Sequence, residues 1–252
     1  MRDFVVVIPA RLNSGRLGRK PLADICGKPM ILHTHARALE ATSNDNIFVA
    51  TDSTEIMAVC KAAGINSIMT SEKCLTGTDR IAEVALKIKS KVYINLQGDE
   101  PIIDSVNISK MIEAGLQEPD LIINGWASIY KKKEYFSRTI PKVMIKSNGD
   151  LMYMSRSPIP SNKLNEFIEA KKQICVYSFP INALQFLQKN SHKSPIEEIE
   201  DIEILRFLEM GWRIKMIELL GNSIAVDTPQ DLELVRKKMG LDNGLQRPQP
   251  QF

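Results

Sequence analysis

At 252 residues and 44% hydrophobic content the chain can bury a full core, which fits one large α/β domain with a small appended lobe and excludes disorder over most of its length. Its 33 basic and 30 acidic residues leave a net charge of only +3, too balanced for the one-sided basic face of a nucleic-acid binder. No apolar stretch nears the ~20 residues that span a bilayer and no charged-then-apolar leader opens the chain, so a cytoplasmic protein without membrane or nucleic-acid partners is expected.

In chain order, Phe4 to Ile8 is a β-branched run suited to a parallel strand covered on both faces. A long polar loop leads to Gly27-Lys28-Pro29, where Pro29 opens a helix expected to reach about Ala41. Asn46 to Ala50 reads as strand, Thr54 to Ala63 as helix closed by Gly64, and Ile65 to Met69 as strand. Asp79 to Ile88 is helical and Val92 to Leu96 is the next strand. This alternation predicts a mostly parallel, Rossmann-like sheet with helices on both faces and its ligand at the carboxyl ends of the strands. From about Trp126 the rhythm changes. Val143 to Ile145, Leu151 to Met154 and Ile174 to Phe179 read as short strands, with an Asn148-Gly149 turn, in a β-rich arm at about 138–190 inserted in a single domain of 1–240. Pro195 to Met210 reads as one long helix stopped by Gly211, followed by strands at Arg213 to Ile217 and Ser223 to Val226. A closing helix over Thr228 to Met239 precedes a tail, 241–252, expected to be disordered.

Two features carry chemistry. Arg11, Arg16, Arg19 and Lys20 crowd the loop after the first strand, where Gly15 and Gly18 allow close backbone approach. The loop is neither a G-x-G-x-x-G turn nor a P-loop, since Pro21 follows Lys20 where the P-loop has Ser or Thr. Asp99, in Gly98-Asp99-Glu100-Pro101, and Asp227, after Ile224-Ala225-Val226, both leave apolar runs. Each also suits an ordinary turn or helix start. Together with a cationic loop they suit a nucleoside triphosphate and Mg²⁺, which favours one or two carboxylates plus substrate oxygens. The four cysteines lie far apart, without a C-x-x-C pair, and read as buried small hydrophobes. His33 and His35 point to different faces of their helix and, with His192, read as structural.

The ordered set of segments resembles the 3-deoxy-manno-octulosonate (Kdo) cytidylyltransferases, or CMP-Kdo synthetases. It comprises Ile8-Pro9-Ala10-Arg11 with Ser14, Arg16 and Lys20-Pro21-Leu22, then Gly27-Lys28-Pro29-Met30 and Ala50-Thr51-Asp52. Gly77-Thr78-Asp79-Arg80 with Ala82-Glu83, Gln97-Gly98-Asp99-Glu100-Pro101, Ser155-Arg156 with Ile159-Pro160, and Val226-Asp227-Thr228-Pro229 complete it. The resemblance implies a nucleotidyltransferase that couples CMP from CTP to a 2-keto acid sugar with Mg²⁺, releasing pyrophosphate, as a homodimer joined through the arm. It implies that Ala10, Arg11, Ser14 and Arg80 hold the nucleotide, that Arg16 and Lys20 neutralise the β and γ phosphates, and that Gln97 lies near the reacting phosphate. Asp99 and Asp227 would bind magnesium, and Arg156, Gln173, Tyr177 and Glu203 would face the acceptor. The chain departs from the family at Gln173, where a histidine is usual, at Ile204, where a glutamine is usual, and at Gly18-Arg19, where Pro-Gly is usual. Such changes in a polar subsite point to the acceptor. Kdo, 8-amino-Kdo, another acidic sugar or a phosphonate are the acceptors the residues leave open, with a non-catalytic CTP binder as the alternative of another class.

Overall fold

The first strand sets the architecture. In the computed structural model, which describes residues 1–13 and 17–244, β1 (Arg2–Ala10) is buried from Val5 onward. Successive side chains leave opposite faces of a strand. Val5 and Val7 accordingly pack with Tyr93 and Phe179 in one core, and Val6 and Ile8 with Ile94 and Leu96 in another. A strand apolar on both faces needs helices above and below.

The expected alternation follows. A hairpin of β2 (Asp24–Ile25) and β3 (Lys28–Pro29) turns at Cys26 and Gly27, whose φ angles are 50° and 85°. Then come α1 (Met30–Leu39), β4 (Ile47–Thr51), α2 (Thr54–Ala62), β5 (Ser67–Met69), α3 (Gly77–Lys87) and β6 (Ser90–Leu96). The remainder comprises α4 (Ser105–Gln117), β7 (Ile122–Ile129), α5 (Lys132–Phe136), β8 (Lys142–Ile145), β9 (Leu151–Ser155) and β10 (Ala170–Pro180). It closes with α6 (Ile181–Lys189), α7 (Pro195–Glu200), α8 (Leu205–Glu209), β11 (Ile214–Glu218) and α9 (Pro229–Gly244).

The main sheet runs β11-β7-β10-β6-β1-β4-β5, with β8 and β9 continuing from β10. β6, β1, β4 and β5 are mutually parallel, as are β7 and β11, and β10 enters antiparallel between β6 and β7. Apolar residues of α3, α6 and α8 cover one face and those of α1, α2 and α4 the other. A third cluster, including Ile25, Met30, Val226 and Val235, ties α9 to the β2–β3 hairpin. Among the described residues no helix is long and apolar enough to cross a membrane.

Four expectations change. The segment read as a short arm strand, Ile174 to Phe179, belongs to an eleven-residue strand at the centre of the sheet. Lys172 and Gln173 hid it, because both are polar yet buried. The long helix over Pro195 to Met210 is instead two short ones, α7 and α8, broken at Asp201, which has a φ of 50°. The Arg156 guanidinium takes the carbonyls of Glu200 and Asp201 there, at 2.6 and 2.8 Å, so they no longer propagate a helix. Ser223 to Val226 pairs with no strand. It is tied to the turn after β6 by a bond from Val226 N–H to the Asp99 carbonyl at 2.9 Å and one from the Ser223 hydroxyl to Glu100. Finally, α9 runs to Gly244, past Met239, and the last eight residues lie outside the described ones.

Candidate active site

A cavity of about 330 Å³ opens where β1 and β6 end. Close packing makes this convergence possible: a Cβ on Gly98 would lie 2.6 Å from the Pro9 carbonyl oxygen, so only glycine lets the chain leaving β6 press against the end of β1. The Thr34 hydroxyl, from α1, donates to the Gly98 carbonyl at 3.0 Å and holds it there.

The bond between Val226 and Asp99 then places the two carboxylates side by side. Lys20 Nζ reaches both, 2.6 Å from Asp99 Oδ2 and 3.2 Å from Asp227 Oδ1. Burial acts to lower the pKa of this ammonium, but the charges and hydrogen bonds of Asp99 and Asp227 outweigh it and raise the pKa above its ordinary value. Both readings of Asp227-Thr228-Pro229 hold at once. Asp231 accepts from the backbone N–H groups of Asp227 and Thr228 at 3.2 and 2.9 Å, starting α9, while Asp227 lines the cavity. Glu100 turns inward instead. It is buried and bonded to the Ser223 hydroxyl, and burial, with the nearby Asp99 and Asp227 charges, pushes its carboxyl up to about 7.

Two carboxylates sharing one compact positive charge are a donor set suited to a hard divalent cation, whose remaining ligands are phosphate oxygens and water. Among the described residues, no group of three or more His, Cys, Asp or Glu side chains converges elsewhere as a metal cage.

At the end of the cavity beside β1 and α3, Asp52 explains the Ala50-Thr51-Asp52 segment. It accepts from the Leu12 N–H at 3.2 Å and from Arg80 Nη2 at 2.9 Å, tying the cationic loop to α3. Arg80 is buried and also donates to Thr70 Oγ1 and the Ser71 carbonyl, so it shapes the cavity wall as a fixed strut. Gly77 opens α3 against Pro9 and the Gln97 amide, which a Cβ there would meet at 3.0 and 3.2 Å.

At the other end, β10 bulges between Ile174 and Tyr177, freeing the carbonyls of Ile174 and Val176. Asn124 Nδ2 satisfies both, at 3.1 and 2.9 Å, which leaves its Oδ1 as an acceptor for Gln173 Nε2 at 3.0 Å. Gln173 Nε2 also donates to the Tyr177 hydroxyl at 3.1 Å. The amide orientation of Gln173 is thereby forced, with its nitrogen bound to the wall and its carbonyl oxygen left as an acceptor beside the cavity. Glu203 accepts from the N–H groups of Gly77 and Thr78, at 3.1 and 3.0 Å, and so caps α3. Burial raises its carboxyl pKa despite those bonds. Behind it, the buried Arg206 joins Glu197, at 2.6 Å, to Asp79, at 2.8 Å.

The cavity is lined by Ala10, Arg11, Lys20, Arg80, Gln97, Asp99, Arg156, Gln173, Tyr177, Glu203 and Asp227, as expected from the sequence, but not by Arg19, the other described loop cation, which is exposed and paired with Glu55. Ser14 and Arg16 lie outside the described residues. Ile204 does not face the cavity. It is buried in the core, and its neighbours Ile202 and Glu203 line the wall. Thr139, Pro141 and Lys193 also line it and carried no sequence signal, being loop residues without a motif. Asn124 had one: an asparagine interrupting the apolar run Leu121-Ile122-Ile123. His33 and His35 are structural as expected, their Nε2 atoms 2.8 Å from the Ile25 carbonyl oxygen and 3.0 Å from Asn44 Oδ1.

A strand-end cavity with a cationic loop and paired carboxylates defines a nucleotidyltransferase, and a family model described as "Cytidylyltransferase" matches residues 5–217, so the chain belongs to the cytidylyltransferases. Among curated relatives it is 36% identical over 239 residues to "3-deoxy-manno-octulosonate cytidylyltransferase" of Escherichia coli, covering 95% of this chain and 97% of that one. It is 38% identical to the protein of that name from Chlorobium phaeobacteroides, covering 92% and 96%. Its particular place is therefore among the 3-deoxy-manno-octulosonate cytidylyltransferases. A solved structure of "CMP:2-keto-3-deoxy-manno-octonic acid synthetase complexed with CTP" superposes with a TM-score of 0.86 at 36% identity, over 95% of this chain and 99% of that one. A cytidylyltransferase from Leptospira borgpetersenii shares the fold alone, with a TM-score of 0.60 at 14% identity over the full length of both chains.

Proposed function

We propose that the cavity transfers CMP from CTP to the anomeric hydroxyl of Kdo or a close 2-keto acid sugar, with Mg²⁺ held by Asp99 and Asp227. The observation that carries this reading is the single ammonium of Lys20 shared between those two carboxylates at the end of the cationic loop. A divalent ion bound there neutralises phosphate charge and lowers the pKa of a coordinated hydroxyl. Lys20, with Arg11 and Arg16 from the same loop, then meets the triphosphate. The acceptor oxygen forms a bond to the α-phosphorus, the bond from that phosphorus to the bridging oxygen breaks, pyrophosphate leaves with the electron pair and the hydroxyl proton passes to solvent. Alignment and charge neutralisation supply most of the rate in such transfers.

Arg156, Tyr177 and Gln173 line the other end, where a carboxylated, hydroxyl-rich sugar fits a cation and fixed hydrogen-bond groups. The forced amide of Gln173 favours a donor, an –OH or –NH₂, on the group it meets. In this reading the arm of the homodimer is the part of 138–190 that precedes β10, with Leu164 and Ile168 exposed on it, because β10 lies in the main sheet and α6 packs on it. Pyrophosphate release is measured with each of the four nucleoside triphosphates and Mg²⁺ against Kdo, 8-amino-Kdo, other acidic sugars and phosphonates. Release with CTP and Kdo supports the reading. CTP-dependent release with another acceptor alone reassigns the sugar, and CTP binding without release for any acceptor leaves a nucleotide-binding protein.

A further inference from the structure

Lys142 stands at the first residue of β8 and is fully buried. A buried ammonium usually pairs with a carboxylate. This one makes no ion pair among the described residues. Its three donors instead reach three backbone carbonyls, those of Ser137, Ile140 and Arg156, each at 2.7 Å. The acceptors belong to two separate stretches. Ser137 and Ile140 flank Thr139 in the loop before β8, and Arg156 follows β9. Thr139, Pro141 and Arg156 all line the cavity. The charges acting on Lys142 are mainly the guanidiniums of Arg138 and Arg156, with Glu200 opposing them. An ammonium placed beside two cations gains no stability from their charge, so its three directed bonds are what its burial secures.

We propose that Lys142 is a positioning residue for the acceptor: its ammonium clasps the loop of Ser137 to Ile140 to the peptide of Arg156 and fixes where Thr139, Pro141 and the Arg156 side chain meet the sugar. The proposal rests on the reading that this end of the cavity takes the acceptor. The Arg156 guanidinium is itself braced, on the far side by the Glu200 and Asp201 carbonyls and toward the loop by the Arg138 carbonyl. Without the clasp the exposed bonds from Arg156 to the Arg138 carbonyl and from Arg138 to Ser157 must hold the loop to the Arg156 segment, a looser tie that the acceptor has to order on binding. Nucleotide contacts, which come from β1, α3 and the turn after β6, are untouched.

The test is steady-state kinetics with CTP, Mg²⁺ and Kdo for the wild type and Lys142→Gln, with thermal midpoints recorded alongside. Loss of the clasp raises KM for Kdo about 10-fold or more while KM for CTP stays within about twofold. Because Lys142→Gln leaves at least one buried carbonyl without a donor, Ile140→Gly serves as a second variant that keeps the test decisive if the first fails to fold. It loosens the same loop with the lysine intact, does not alter a residue lining the cavity, and is expected to raise KM for Kdo alone in the same direction. Lowered thermal midpoints with both Michaelis constants unchanged, or with both raised together, would make Lys142 a purely structural residue and overturn the proposal. A wild type that turns over CTP with no 2-keto acid sugar overturns the acceptor reading first, and the clasp's assigned role with it. A wild type active on Kdo whose variants keep its KM overturns the clasp alone.

Discussion

Asp99 and Asp227 share one ammonium, so each still has a cationic neighbour when the other is neutralised. Asp99→Asn and Asp227→Asn are therefore expected to lower turnover by about 10³-fold or more. Their thermal midpoints stay close to the wild type, and full activity in either variant would remove the metal assignment. Those carboxylates and Lys20 were legible because each lies next to a strand-like run, where α/β sheets place their ligands. Gln173 was legible as a position but not as an orientation, because its amide is turned by Asn124, far away in sequence. His35 gives a prediction about pH. It is buried against Asn44, and burial lowers its pKa below the ordinary 6.5. Below pH 6.5 the unfolded chain takes up this proton more readily than the folded one, so His35 contributes stability that is present above 6.5 and is lost as pH falls through its folded pKa. Urea titrations at pH 5 and 7 should show the wild type losing more stability than His35→Gln.

The starts of two helices meet at Arg206. Thr76 and Asp79 form the capping box of α3, Ser194 and Glu197 that of α7, and the Arg206 guanidinium bonds both acidic members. Arg206→Met leaves two carboxylates uncompensated at a buried site, and about 3–5 kcal/mol of folding free energy should be lost, read from a denaturant titration. Since α3 begins at the cavity wall, weaker binding of CTP accompanies that loss. The patterns Thr76-x-x-Asp79 and Ser194-x-x-Glu197 stand in the sequence but were not read as caps, so α3 was expected to start only at Asp79. The break between α7 and α8 has no such pattern, because its cause is Arg156, a side chain arriving from β9 that competes for the helix carbonyls. The full length and central place of β10 were missed for a similar reason. Its buried Lys172 is satisfied by Glu134 of α5, and nothing in the local pattern announces a polar residue with a distant partner.

The alternation up to β6 follows from local pattern, with apolar runs closed by glycine and polar caps, whereas the order of strands beyond it depends on pairings between distant segments. That difference is why the parallel half of the sheet could be read, whereas the central antiparallel strand was read as a strand but placed in an arm. The cavity gathers residues from β1, α3, the turns after β6 and β9, β10 and the start of α9. A nucleotide bridging them should stabilise the whole fold, by about 2.7 kcal/mol at a CTP concentration 100 times its Kd, visible as a raised thermal midpoint. UTP at the same concentration should shift it less. The bond from Val226 to Asp99 adds a temporal consequence. During synthesis the chain completes β1, β4, β5, β6 and the cationic loop long before Asp227 emerges, so a partly made copy holds half of the carboxylate pair. If Asp99 and Asp227 together hold the metal as proposed, catalytic competence arrives when the segment before α9 docks against the turn that follows β6, and fragments ending short of it are expected to be inactive.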